Sequence, residues 1–172
     1  MNIKTFVVNN LFMRIGIYEY SVKQSIEKLN CFLKENKTQE IVFFCAGNYK
    51  IWYDSFSSAV ADGLKHENIK CFVYGGKGFS ILATNILSYM GFIEKKHPQA
   101  KIIIIDNCKT CFSAESGCLV SKQMSTIPAG LINSKSFGHY SLLLKVCLTE
   151  DSEKFLEKQK FVVNEILQKI AI

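Results

Sequence analysis

Asp54 and Asp106 are the side chains of this sequence whose type and context best suit chemistry. Each follows a strand-like apolar run: Ile41-Val42-Phe43-Phe44-Cys45-Ala46-Gly47-Asn48 leads to Asp54, and Ile102-Ile103-Ile104-Ile105 runs directly into Asp106. Two carboxylates held close together do not both ionise cheaply, so one keeps its proton while the other acts as a base. Such a pair can activate a water and protonate a leaving amide nitrogen, which is the chemistry of an aspartic peptidase. Plainer duties are open to the same residues. Asp54 stands where a helix starting near Ser55 wants an N-cap, and Asp106 can satisfy loop amides.

Other residues offer chemistry with less support from their neighbours. Cys108-Lys109-Thr110-Cys111 is a CxxC, with Cys118 further on; a structural zinc needs four ligands, and a redox CxxC opens a helix that Phe112 to Gly117 is poorly suited to form. His139 follows a glycine in an expected loop and is a candidate to reach the pocket. His66 and His97 fall at expected helix ends, where a cationic ring is favoured by the dipole, and are given no catalytic role. Gly75-Gly76-Lys77-Gly78 exposes amides before a helix but lacks the Gly-Lys-Ser/Thr ending of a P-loop, so it reads as a turn. Tyr49, Ile51, Trp52 and Tyr53 form an apolar cluster just before Asp54: exposed, it would bind a peptide side chain or a partner, and buried, it would desolvate the acid.

The elements that must position these groups alternate between strand and helix. Val22, Ile26, Leu29 and Leu33 predict a helix over Ser21 to Asn36, and Ile41 to Ala46 has the continuous apolar character of a strand buried on both faces. A helix is expected over Ser55 to His66, a strand at Cys71 to Tyr74, a helix over Phe79 to Lys96 and a strand at Lys101 to Asp106. Asn107 to Gly117 is too polar to continue that strand and reads as loop. Gly117 to Ser121 suits a short strand, Pro128 to Gly138 a mobile stretch, and Leu142 to Leu148 the last strand. Thr149, Glu150, Asp151 and Glu153 suit the N-terminus of a closing helix. This order predicts an α/β fold: one domain over residues 1–172, a three-layer α/β/α sandwich around a mostly parallel, mixed sheet of about five strands. If the first and third of those central strands are parallel neighbours, both aspartates face the crevice beyond their carboxyl ends.

Composition narrows the function classes. The chain has 172 residues, 48% of them hydrophobic, which suffices for one sizeable core. Its formal charge of +6 comes from 21 Lys and Arg against 15 Asp and Glu. The lysines, Lys145 among them, are scattered, so they read as a solvated surface and no nucleic-acid partner is expected. The apolar stretch near the N-terminus is cut by Asn9-Asn10 and Arg14, unlike a secretory leader, and no run is long enough to span a membrane. Seven cysteines, an odd number, then read as reduced thiols of a cytoplasmic protein.

The stretch from Gly47 to Ser58, GNYKIWYDSFSS, resembles the GNWNVTPDALGP segment of the germination (spore) proteases and GTDRSTGDSLGP of the YyaC-type sporulation proteins, with the same ungapped spacing from glycine to aspartate. Ile104-Ile105-Asp106-Asn107-Cys108 is similar to the Ile-Asp-Ala-Cys or Ile-Asp-Ala-Leu segment of those families. Val73-Tyr74-Gly75, Thr84-Asn85, Pro128-Ala129-Gly130 and Phe137 to Leu142 echo further elements in the same order, over about residues 20 to 148. The resemblance implies a hydrogenase-maturation-protease-like fold and a sporulation-associated peptidase, with Asp54 and Asp106 at the positions of the two catalytic acids. It also implies a peptide or protein as substrate or partner. Gly47, Asn48, Tyr49, Trp52, Asn85, Asn107 and His139 become expected pocket residues. Neither a cofactor nor a metal is expected, since no matching glutamate ends the first strand to help hold nickel. Tyr49 replaces an aspartate of the YyaC-type pattern, Ser57-Ser58 replaces Gly-Pro, and His139 replaces the aspartate after Gly138. A catalytically inactive binding or assembly module of the same fold is the alternative.

Overall fold

The computed structural model describes residues 18–20, 22–67, 69–110, 119–123 and 137–170. Its centre is a six-stranded mixed sheet of order β1-β5-β6-β4-β2-β3. The strands are β1 (Tyr18–Tyr20), β2 (Ile41–Cys45), β3 (Phe72–Tyr74), β4 (Lys101–Thr110), β5 (Leu119–Gln123) and β6 (Tyr140–Cys147). β6, β4, β2 and β3 run parallel, and β5 and β1 extend the sheet by antiparallel pairing. About five strands were expected; the parallel block has four, and β5 and β1 bring the total to six.

Four helices cover the sheet among the described residues: α1 (Val22–Glu35), α2 (Phe56–His66), α3 (Ile86–Lys96) and α4 (Ser152–Lys169). The buried residues of α1, α2 and α4 join Phe43, Ile103, Ile105, Leu142 and Leu144 in one cluster, while those of α3 join Val42, Phe44, Ile102, Ile104 and Phe137 in another. Odd and even residues of β2 and β4 therefore feed opposite faces, as alternation along a pleated strand requires. The result is the expected α/β/α sandwich. Both faces of β2 are covered, which is why its sequence carries no polar residue.

Two expected elements differ in extent. The helix expected from Phe79 begins only at Ile86, because Ile81 makes bridges to Ala46 and Gly47 and the side chain of Asn85 ties up the turn before it: its Oδ1 accepts from Leu82 N (2.7 Å) and its Nδ2 donates to Ser80 O (3.2 Å). β4, expected to stop at Asp106, runs on to Thr110, since β6 supplies a ladder partner as far as Thr110 opposite Cys147. The polar residues of that stretch are thus strand, and on the β6 side their backbone groups are paired in the ladder. Ile3 to Val8, Met13 to Ile17, Cys111, Cys118 and Pro128 to Gly130 lie outside the described residues.

The winding of the chain sets where a site can form. From β2 the chain crosses through α2 on one face to β3, then returns through α3 on the other face to β4, on the far side of β2. The chain reverses its direction across the sheet between β2 and β4, and at such a switch point the connections leave to opposite sides and open a crevice at the carboxyl ends of the strands.

Candidate functional site

Asp54 and Asp106 both come to the carboxyl edge at this switch. β2 ends at Cys45, opposite Ile105, with Ala46 N still donating to Ile105 O (3.0 Å). Beyond that point β2 peels away and Asp106 continues alone along β6. Asp54 ends a short 3-10 turn, Trp52–Asp54, that packs against β4 and α4.

The loop from Gly47 to Asp54 is closed on itself. Asn48 N donates both to Asp54 O (3.0 Å) and to Asp54 Oδ2 (3.0 Å), and Asn48 Oδ1 accepts from Lys50 N (3.0 Å). A Cβ on Gly47 would lie 2.5 Å from Asp54 O and 2.3 Å from Ser57 Oγ, so glycine is what lets the loop close over the first turn of α2. Gly47 and Asn48 therefore frame Asp54. Trp52 is half-buried, its ring 5.5 Å from Phe155 on α4 and 5.4 Å from Tyr53; it anchors the turn to the core. Tyr49 is exposed at the loop tip, with Lys50 Nζ 5.8 Å from its ring centre.

Alternation along β4 separates the next two residues. Asp106 shares the α3 face with Ile102 and Ile104, whereas Asn107 falls on the α2 face with Ile103 and Ile105. Asp106 is 6% exposed and its Oδ1 accepts from Asn107 N (2.7 Å). Asp54 and Asp106 thus approach one sheet edge from different sides, while Asn107 is turned toward the face that carries Asp54 and α2.

Lys145 overturns an expectation. It is only 2% exposed, and its register opposite Cys108 puts it on the same face as Asp106. A buried ammonium needs partners, and both Lys145 and Asp106 are engaged in interactions. The signal was present in the sequence: Tyr140 to Cys147 is an apolar run that one lysine interrupts. Scattered lysines elsewhere masked it.

Asn85 and His139 do not reach the crevice as ligands. Asn85 is spent on the Ser80–Leu82 turn described above and acts on the site through Ile81. His139 enters β6 at its amino end: its N donates to Ile102 O (2.8 Å), and its Nδ1 accepts from Ile102 N (3.1 Å). Asp106 lies four residues further along β4, about 13 Å away. The residue before a parallel strand belongs to the opposite edge from the residues after one, which removes His139 from the pocket.

Three buried polar side chains on the α2 face have no hydrogen-bond partner among the described residues: Ser57 Oγ, Ser58 Oγ, and both Oδ1 and Nδ2 of Asn107. Ser57 and Ser58 stand in the first turn of α2, whose N-terminus has no side-chain cap. Unsatisfied buried groups of this kind cost about 1–3 kcal/mol each and are rarely kept without a use. An anion here would gain about 0.3–1 kcal/mol from the helix end. Each carboxylate within about 6 Å would oppose it by about 3 kcal/mol at an effective dielectric of 20. These side chains are therefore better suited to a neutral polar partner.

No cluster of three or more metal-ligating side chains occurs among the described residues. Cys108 is half-buried on β4, and burial pushes the Cys71 thiol up to about 11 and the Cys45 thiol further still. Neither is a ready thiolate. No helix among the described residues is long and apolar enough to cross a membrane.

A family model described as a protein of unknown function, DUF1256, matches residues 15–171, and the chain belongs to that family. No curated protein matches it.

Proposed function

We propose that this member of the DUF1256 family is a cytoplasmic, sporulation-associated, germination-protease-like peptidase or peptidase homologue that takes a peptide or protein in the crevice between β2 and β4. The observation that carries the reading is the delivery of Asp54 and Asp106 to one carboxyl edge at the point where the winding reverses. The sequence resemblance, with both aspartates at matching positions, supports it from a separate direction. In the reaction one carboxylate takes a proton from water, the water attacks the peptide carbonyl, and the other acid gives its proton to the leaving nitrogen. The test is cleavage of casein and of a mixed peptide library by the purified protein. Asp54→Asn and Asp106→Asn should each lower the rate at least 100-fold while leaving the fold intact; two variants as active as the parent would end the assignment.

A specific observation favours a second reading, a non-catalytic binding or assembly module. Asp54 Oδ2 closes its own loop through Asn48 N, and Asp106 shares its face with a buried lysine. On this reading the exposed Tyr49 at the loop tip makes the contact. The parent protein would then bind peptide without cleaving it, and Tyr49→Ala would weaken binding more than Asp106→Asn.

A further inference from the structure

We infer that Ser57, Ser58 and Asn107 form a recognition site for the backbone amide of an extended peptide, at the uncapped N-terminus of α2. This rests on the reading of the crevice as a peptide site and adds which atoms hold the chain. Four polar atoms on three side chains are buried without partners among the described residues, and they fall on one face of the sheet. Ser57 Oγ lies directly under Gly47, the residue at which β2 leaves the ladder. Asn107 follows Asp106 on β4 and faces α2, which packs on β4. Both sides of the switch point therefore present unpartnered polar atoms to the same face.

The chemistry of the set selects its ligand. Two hydroxyls and a carboxamide offer donors and acceptors together and carry no charge. The unsatisfied amides of a helix start add donors only. A secondary amide matches this mixture, since its C=O takes donors from the helix end and the hydroxyls while its N–H meets the Asn107 Oδ1. A free anion would use the donors but leave that oxygen unpaired, and it would sit beside Asp54.

The test is a titration of isotope-labelled protein with N-acetylglycyl-alanyl-glycinamide, followed by NMR at the Asn107 carboxamide and the Ser57 and Ser58 amides. Saturable shifts at these three residues are expected. The double variant Ser57→Ala/Ser58→Ala and the variant Asn107→Leu should weaken binding about 3–10-fold for each hydrogen bond lost. Because the groups have no partners to lose among the described residues, the melting temperature should stay level or rise. The inference is overturned if the peptide gives no saturable shift at these residues, if inorganic phosphate saturates them in its place, or if the serine variant lowers the melting temperature with binding unchanged. Cleavage assays on the aspartate variants report separately on the peptidase reading: inactive Asp54→Asn that still shifts the Asn107 carboxamide would leave this site standing on its own.

Discussion

Gly47 and Lys145 are the residues at which the least change should do the most damage. Gly47→Ala would push a methyl to 2.5 Å from Asp54 O, a backbone atom that cannot swing aside. Overpacking of that kind costs about 1–3 kcal/mol, and at about 2–4 °C per kcal/mol for a chain of this size the loss should show in a thermal melt. Lys145→Met tests the buried ammonium. If its charge is balanced on the α3 face of the sheet, where Asp106 also lies, removing it strands a carboxylate in the interior and should cost about 3–5 kcal/mol at neutral pH, measured as a shift of the urea midpoint with an unchanged slope. A loss under 1 kcal/mol would place the lysine head in solvent and contradict its burial. Asp54, Asp106 and Gly47 were legible as a group in the sequence because a glycine-to-aspartate spacing survives in one dimension. For Lys145 only the interruption of an apolar run was visible, because nothing in the sequence states which strand lies beside β4, and only that pairing puts the lysine on the same face as Asp106.

At the scale of elements, hydrophobic periodicity located α1, α2 and α4 to within about three residues, since each buries a stripe with helical spacing. Where the pattern failed, a tertiary contact had overridden a local preference. Phe79 to Asn85 has helical composition, but Ile81 is taken by Gly47 and Ala46; Asn107 to Thr110 is polar, but β6 holds it in the sheet. Glycines within two helices give a paired prediction. Gly91 in α3 has nothing within 4 Å of an added Cβ, so Gly91→Ala should stabilise by about 0.5–1 kcal/mol through backbone entropy alone. Gly63 in α2 would place its Cβ 2.4 Å from Leu167 Cδ1 of α4. Gly63→Ala should therefore forfeit that gain or reverse it, unless paired with Leu167→Ala, which opens the space. Thermal melts of the three single variants and the double variant would show this; equal stabilisation by Gly63→Ala and Gly91→Ala would mean that α2 and α4 are not packed at this point.

For the whole molecule, parallel winding explains where the structure puts the residues singled out in the sequence. Alternating strand and helix signals foretold the layers, and layers with right-handed crossovers place ligands at carboxyl edges. Asp54 follows β2, and Asp106 lies on β4 just past the end of β2, so both come to that edge; His139 precedes β6, so it arrives at the other. Its role there is structural and gives a pH dependence. Partial desolvation of the ring, and next the charge of Lys101, lower the pKa of His139 from its ordinary value, and its Nδ1 accepts from Ile102 N, which only an imidazole unprotonated at that nitrogen can do. The unfolded chain thus binds this proton more readily than the folded one. Its contribution to stability is complete above the unfolded value near 6.5 and declines as the pH falls through that value toward the folded one. The side chain is exposed, so the effect is small, and it is best read as a difference: the urea midpoint should fall between pH 7.5 and pH 5.5 by more in the parent than in His139→Gln. Parallel curves would mean that Ile102 N does not depend on the ring, and that the entry of β6 is not tied to the start of β4 through this titration.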